Sequence, residues 1–117
     1  MTIHVTILET GLANLASVVV AFKRLGTSIS IECNPQAIRS ATRLVVQGVG
    51  NFGTVMNRLR QAELIQPLLD RVESDKPTLG ICLGLQIFGL QSDESPDVDG
   101  LGLVSSRVTR FPKNVIS

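Results

Sequence analysis

The sequence predicts an α/β fold: a mainly parallel sheet with helices on both faces. Three observations predict it. Short, continuously apolar, β-branched runs recur along the chain, as strands buried on both faces require. Segments with apolar residues at helical spacing lie between them. The length of 117 residues suits one domain, residues 1–117, and 44% hydrophobic residues are enough for its core.

Residues 3–8 form the first apolar run and read as a buried strand. Leu15, Val18, Val19, Phe22 and Leu25 then mark one face of an amphipathic helix. Asn14 suits its N-cap, Lys23 and Arg24 its last turn, and Gly26 the position after it. Ser28–Glu32 is a second, partly alternating strand, and residues 35–41 are a short helix or turn. Residues 44–46 are a third strand, running into Gln47-Gly48-Val49-Gly50. Residues 54–72 hold one or two helical stretches, which Pro67 breaks or restarts. Residues 78–81 are a fourth strand and residues 83–90 a helix after it. An acidic loop over 92–99 follows, then two strands over 101–104 and 107–111, possible partners in a hairpin. The chain shows no internal repeat and no low-complexity segment.

Composition removes several function classes. Eleven basic residues against 10 acidic ones give a net charge of +1, with no footprint for nucleic acid or an anionic membrane. Aromatic residues are 3%, all of them Phe, so base-stacking platforms are nearly excluded. Cys33 and Cys82 are too far apart in sequence for a disulfide framework or a zinc motif. One histidine, His4, leaves little for a metal centre, so no metal and no cofactor is expected. The longest apolar runs, such as 18–22, fall far short of the ~20 residues of a membrane span. The N-terminus carries no basic, signal-like start, which makes the cytoplasm the expected compartment.

Chemistry in such sheets gathers at the carboxyl ends of the strands, and two segments fall there. In Gly80-Ile81-Cys82-Leu83-Gly84-Leu85-Gln86 a strand enters and a helix leaves. Glycine two positions to either side of Cys82 permits the sharp turn of a nucleophile elbow, with Cys in place of Ser. A helix N-terminus there favours thiolate, and the Leu83 N–H would face an oxyanion. The competing reading is a buried structural cysteine between packing glycines. Gln47-Gly48-Val49-Gly50-Asn51-Phe52-Gly53 puts three glycines at the end of a buried strand. It lacks the Gly-Lys-Ser/Thr of a phosphate loop and the spacing of a dinucleotide site. Taken alone, it reads as an ordinary strand-to-helix connection able to offer backbone N–H groups.

Together these segments resemble the class I glutamine amidotransferases, most closely those serving as glutaminase subunits of imidazole glycerol phosphate synthases. The match runs in order through residues 11–15, 47–53, 80–86, the Gly100-Leu101-Gly102-Leu103 string and residues 107–112. The resemblance implies a flavodoxin-like fold, truncated at its C-terminal side. It implies Cys82 as nucleophile on the glutamine side-chain amide, forming a γ-glutamyl thioester and releasing ammonia. It places Val49 and Leu83 in the oxyanion hole, and Gly50 and Gln86 on the substrate. Glu94 matches a carboxylate that reads the substrate amino group; a solvated loop charge is the other reading. Asn14 matches a loop facing the cyclase subunit, which receives the ammonia; an N-cap is the other reading there.

The chain also departs from the family. Glu9-Thr10-Gly11-Leu12-Ala13-Asn14 stands where D-Y-G-x-G-N is usual, and Gln47 where Pro is usual. The family's later His and Glu have no counterpart before Ser117, and His4, in the first strand, cannot replace them. Without that imidazole the 117 residues alone are expected to turn over little glutamine, to expose a sheet edge and to dissolve poorly. The expectation is therefore the N-terminal part of a glutaminase. The alternative is a truncated, non-catalytic module that binds a partner.

Overall fold

β1 (His4–Leu8), β2 (Ser28–Glu32), β3 (Leu44–Gly48) and β4 (Thr78–Cys82) form one sheet in the order β2-β1-β3-β4. All three pairings are parallel. The structure is a computed structural model that describes residues 2–10, 15–48 and 50–110. The order is that of a flavodoxin-like sheet, and it sets the carboxyl ends of all four strands along one edge.

Alternation along the strands divides the core in two. Val5, Ile7 and Val45 face one side, where α1 (Ala16–Arg24) brings Val18 and Leu15 precedes it. Leu8, Leu44 and Val46 face the other side. There they meet Ile38 of α2 (Pro35–Ser40), Phe52, Val55, Met56 and Leu59 of α3 (Phe52–Gln61), and Leu68 of α4 (Ile65–Glu73). Helices on both faces explain why these strands are apolar in both registers.

The helix ends follow local chemistry. Asn34 caps α2, its side-chain oxygen accepting from Gln36 N at 2.8 Å, and Pro35 takes the first helical position. Pro67 sits in the first turn of α4, where its missing N–H costs no helical bond. Gly26, at φ +79°, ends α1 with its N–H on the Lys23 carbonyl. Leu25, read above as part of the buried face, is 76% exposed, because the helix stops before it. The expected N-cap Asn14 lies outside the described residues.

Two expectations are corrected. Residues 83–90 are not one helix: α5 covers only Leu83–Gln86. Residues 101–104 are not a strand. Their amides cap the end of that short helix instead, Leu101 N on Ile87 O at 2.7 Å and Leu103 N on Phe88 O at 2.9 Å. Backbone donors engaged with helix-terminal carbonyls cannot also form a ladder. The strand near 107 shrinks to β6 (Arg107–Val108), which pairs in parallel with β5 (Gln91–Ser92) rather than in a hairpin.

One buried cation ties α2, α4 and the start of β4 together. Arg71 is 1% exposed. Its guanidinium donates to the Ile38 carbonyl at 3.1 Å, the Ala41 carbonyl, the Pro77 carbonyl at 2.7 Å and Thr78 Oγ1 at 3.2 Å. Ile38 and Ala41 lie at the C-terminal end of α2, where the helix dipole is negative and carbonyls lack helical partners. Burial pushes the guanidinium below its ordinary pKa.

Nearby, Asp70 accepts from Gln66 Nε2 at 2.8 Å and pairs with Arg39. The Gln66 amide first, and Arg39 second, hold its carboxyl below the ordinary carboxylate value. A lowered folded-state pKa gives stability that is present above the unfolded-state value and lost as pH falls through the folded one. Asp70→Asn should therefore flatten the acid limb of a stability–pH curve below about pH 4. Denaturant midpoints measured at several pH values, with and without the substitution, check this. A parallel offset at every pH would refute it.

β4 is an edge strand: among the described residues no strand lies on its outer side. Leu79 on it is 52% exposed. No helix among the described residues is long and apolar enough to cross a membrane.

Candidate active site

Cys82 ends β4, and Leu83 opens α5. The turn between them is tight enough to force Cys82 to φ 57°, ψ −126°, a region that residues with a Cβ rarely adopt. The two flanking glycines make room for it. A Cβ on Gly84 would run into the Val46 carbonyl oxygen and lie 2.6 Å from the Val46 carbonyl carbon. A Cβ on Gly80 would lie 2.8 Å from both Gly84 O and Leu85 Cα. The Gly-x-Cys-x-Gly spacing thus lets α5 press against β3 and β4 while the thiol is thrown outward. Cys82 is exposed, which removes the reading of a buried structural cysteine.

Leu83 is buried, and its N–H is the first of α5, with no carbonyl four residues back within the helix. Gly48 is the register partner of Cys82 across β3 and β4. Val49, the other expected oxyanion donor, lies outside the described residues, as does Asn14, expected either to face a partner or to cap a helix. Gly50 adopts φ +96° with open space around its Cα, so its glycine is required by backbone conformation and not by crowding.

The N-terminus of α3 follows directly, and side chains from two segments satisfy it. Asn51 Oδ1 accepts from Thr54 N at 3.2 Å. Ser95 Oγ accepts from Gly53 N at 3.0 Å and donates to Asn51 Oδ1 at 2.8 Å. Glu94 Oε1 accepts from Phe52 N at 2.6 Å. The loop carrying Glu94 is therefore fastened to the glycine loop. Sequence reasoning missed Asn51 and Ser95; the Asn before the Phe52 helix was the readable cap signal. Glu94 is not simply a solvated charge, since one of its oxygens is committed to a helix end.

Gln86 and Glu94 come together as walls of one cleft of about 380 Å³, with Asp93, Val108, Thr109 and Arg110. Cys82 is not on that wall; it stands one helical turn before Gln86. A second cleft of similar size, lined by Glu9, Arg58 and the other thiol, Cys33, opens near the ends of β1 and β2. His4 is remote from these groups. It begins β1, at the opposite end of the sheet, with Nδ1 2.6 Å from Ser28 Oγ and Nε2 3.0 Å from Ser30 Oγ. Among the described residues no cluster of His, Cys, Asp and Glu has the makings of a metal site.

Comparison with known families bears directly on this arrangement. The family model "Glutamine amidotransferase class-I" matches residues 6–103, from β1 through the elbow to the capping segment. The chain belongs to the class I glutamine amidotransferases.

Relatives narrow the likeness. The chain is 39% identical over 108 residues to imidazole glycerol phosphate synthase subunit HisH of Syntrophotalea carbinolica, covering 92% of this chain and 52% of that protein. It is 42% identical over 108 residues to the subunit of the same name from Methanothermobacter thermautotrophicus, covering 92% and 54%. This amidotransferase chain thus spans about half the length of the relatives it matches. A crystal structure of a glutamine amidotransferase superposes with a TM-score of 0.77 over 91% of this chain and 56% of the other, at 22% identity, which supports the fold.

Proposed function

We propose that this amidotransferase chain supplies the nucleophile of a glutaminase, with Cys82 attacking the side-chain amide of glutamine. The S–C bond forms as the C–N bond breaks, the proton lost by the thiol leaves on ammonia, and the γ-glutamyl thioester that remains is cleaved by water to glutamate. The backbone N–H groups of Leu83 and Val49 stabilise the oxyanion of both steps. Gly50, Gln86 and Glu94 hold the glutamine. By likeness to the HisH subunits, the ammonia goes to a cyclase subunit for imidazole glycerol phosphate formation, and Asn14 lies in the loop that meets it. This is cytoplasmic chemistry and takes no cofactor.

The observation that carries the reading is the backbone of Cys82. A non-glycine residue at φ 57°, between two glycines that admit no side chain, holds strain of about 1–3 kcal/mol. Packing alone has no use for an exposed thiol held in that way. Among the described residues no imidazole stands at the carboxyl edge to protonate the leaving nitrogen, so residues 1–117 alone form the thioester slowly and turn over little glutamine.

A glutamine-mimicking chloroketone tests this. It should alkylate Cys82 saturably and ahead of Cys33, and excess glutamine should protect. Equal, unsaturable labelling of the two exposed thiols would sink the glutaminase reading and leave a partner-binding module.

A further inference from the structure

α3 begins directly after the glycine loop, and side chains take all three amides of its first turn. Glu94 accepts from Phe52 N, Ser95 from Gly53 N and Asn51 from Thr54 N. With every one of these donors engaged, this helix end has none left for a bound anion. Ser95 joins the set together, because its hydroxyl also donates to Asn51 Oδ1 at 2.8 Å. One oxygen thus clasps the cap and the helix to the 92–95 loop. The fit around it is close: a Cβ on Gly53 would lie 2.9 Å from Ser95 Oγ and 3.1 Å from Ser95 Cβ.

Packing does not fix the glycine loop at Gly50, where nothing lies within 4 Å of the place a Cβ would take. The loop is held at its ends instead. Gly48 is tied into the ladder opposite Cys82, and Asn51 is tied to Ser95. We propose that Ser95 is a positioning residue for the reaction: by clasping Asn51 and Gly53 it sets where the glycine loop stands against the Cys82 elbow. This rests on the glutaminase reading and deepens it. The loop carries Val49, the expected second oxyanion donor, and a donor acts fully only when it is already aimed at the place where charge develops. A small displacement of the loop therefore costs rate while the thiol itself is untouched.

The test compares two reagents on Cys82, each followed by peptide mass. A chloroketone analogue of glutamine places a carbonyl where the substrate amide would react, so its capture depends on the loop. Iodoacetamide reads the thiol alone. In each case the sulfur forms a C–S bond and expels a halide, chloride from the first and iodide from the second. Ser95→Ala should lower the maximal rate of chloroketone labelling about tenfold and leave iodoacetamide labelling unmoved. Ser95→Thr keeps the hydroxyl and should restore most of the rate. Gly53→Ala opens the clasp from the other side: alanine favours the helix, but its Cβ displaces Ser95 Oγ, and the chloroketone should slow to a similar extent. Asn34→Ala is the control for a structural effect. It removes the cap of α2, beside the strand farthest from β4, and should lower the melting temperature without slowing either reagent. Circular dichroism of each variant confirms folding. If Ser95→Ala or Gly53→Ala labels at the unsubstituted rate, if Ser95→Thr restores nothing, if both reagents slow alike, or if Asn34→Ala slows the chloroketone as much, the assignment is overturned while the glutaminase reading stands. If the unsubstituted chain shows no saturable chloroketone labelling of Cys82, the glutaminase reading fails and takes this one with it.

Discussion

Gly84→Ala is expected to leave the chain largely unfolded. The added Cβ would occupy the space of the Val46 carbonyl, which is backbone in a central strand and has no rotamer by which to withdraw. Relief would require moving α5 off β3, opening the contact that buries Leu83 and Ile87. A loss of at least about 4 kcal/mol follows, comparable with the whole stability of many domains. Gly50→Ala makes the informative contrast. Nothing crowds that position, and only its φ of +96° resists a side chain, so a cost of about 1–2 kcal/mol is expected. Urea unfolding followed by circular dichroism separates the two. Similar midpoints for both variants would mean that α5 does not press on β3 as described.

Arg71→Met should be the other severe substitution. Met keeps much of the stem and loses every donor. The carbonyls of Ile38 and Ala41 would then stay buried at the end of α2 with nothing to accept from. Stranding buried acceptors and dropping a desolvated cation is expected to cost about 3–5 kcal/mol. Arg71→Lys should recover less than half, because one ammonium cannot reach carbonyls of α2 and β4 together with Thr78. A thermal melt checks this, and a shift of only a degree or two for Arg71→Met would show the guanidinium to be dispensable.

Much of this was readable from the chain. Val45 and Val46 are both apolar although adjacent strand residues face opposite ways, which only a doubly covered strand tolerates. The glycines around Cys82 suited an elbow and a buried structural cysteine equally, and only the exposure of the thiol in the fold separates the two. Arg71 was less legible. It lies three positions after Leu68 and seven after Leu64, on the apolar stripe of α4, yet an arginine in an amphipathic helix ordinarily marks the wet face. What buries it is the end of another helix, a tertiary fact. The segment at 101–104 misled for a related reason. Leu-Gly-Leu-Val reads as a strand by composition, whereas its amides were claimed by the carbonyls of Ile87, Phe88 and Gly89. Glu94 entered only through the resemblance, with a solvated loop charge as the other reading, and its bond to Phe52 depended on how the 92–95 loop folds back.

Among the described residues, the strand that holds Cys82 is protected on one side only. In a parallel ladder alternate residues address opposite neighbours, so every second amide of β4 meets β3 and the rest meet solvent among the described residues. Deuterium uptake should be two-phased within five consecutive positions, with slow and fast sites interleaved. The elbow is thus anchored through half of its strand. A strand laid along the open edge would close the fast amides and lengthen the lifetime of the strained Cys82 geometry, without touching the sulfur itself.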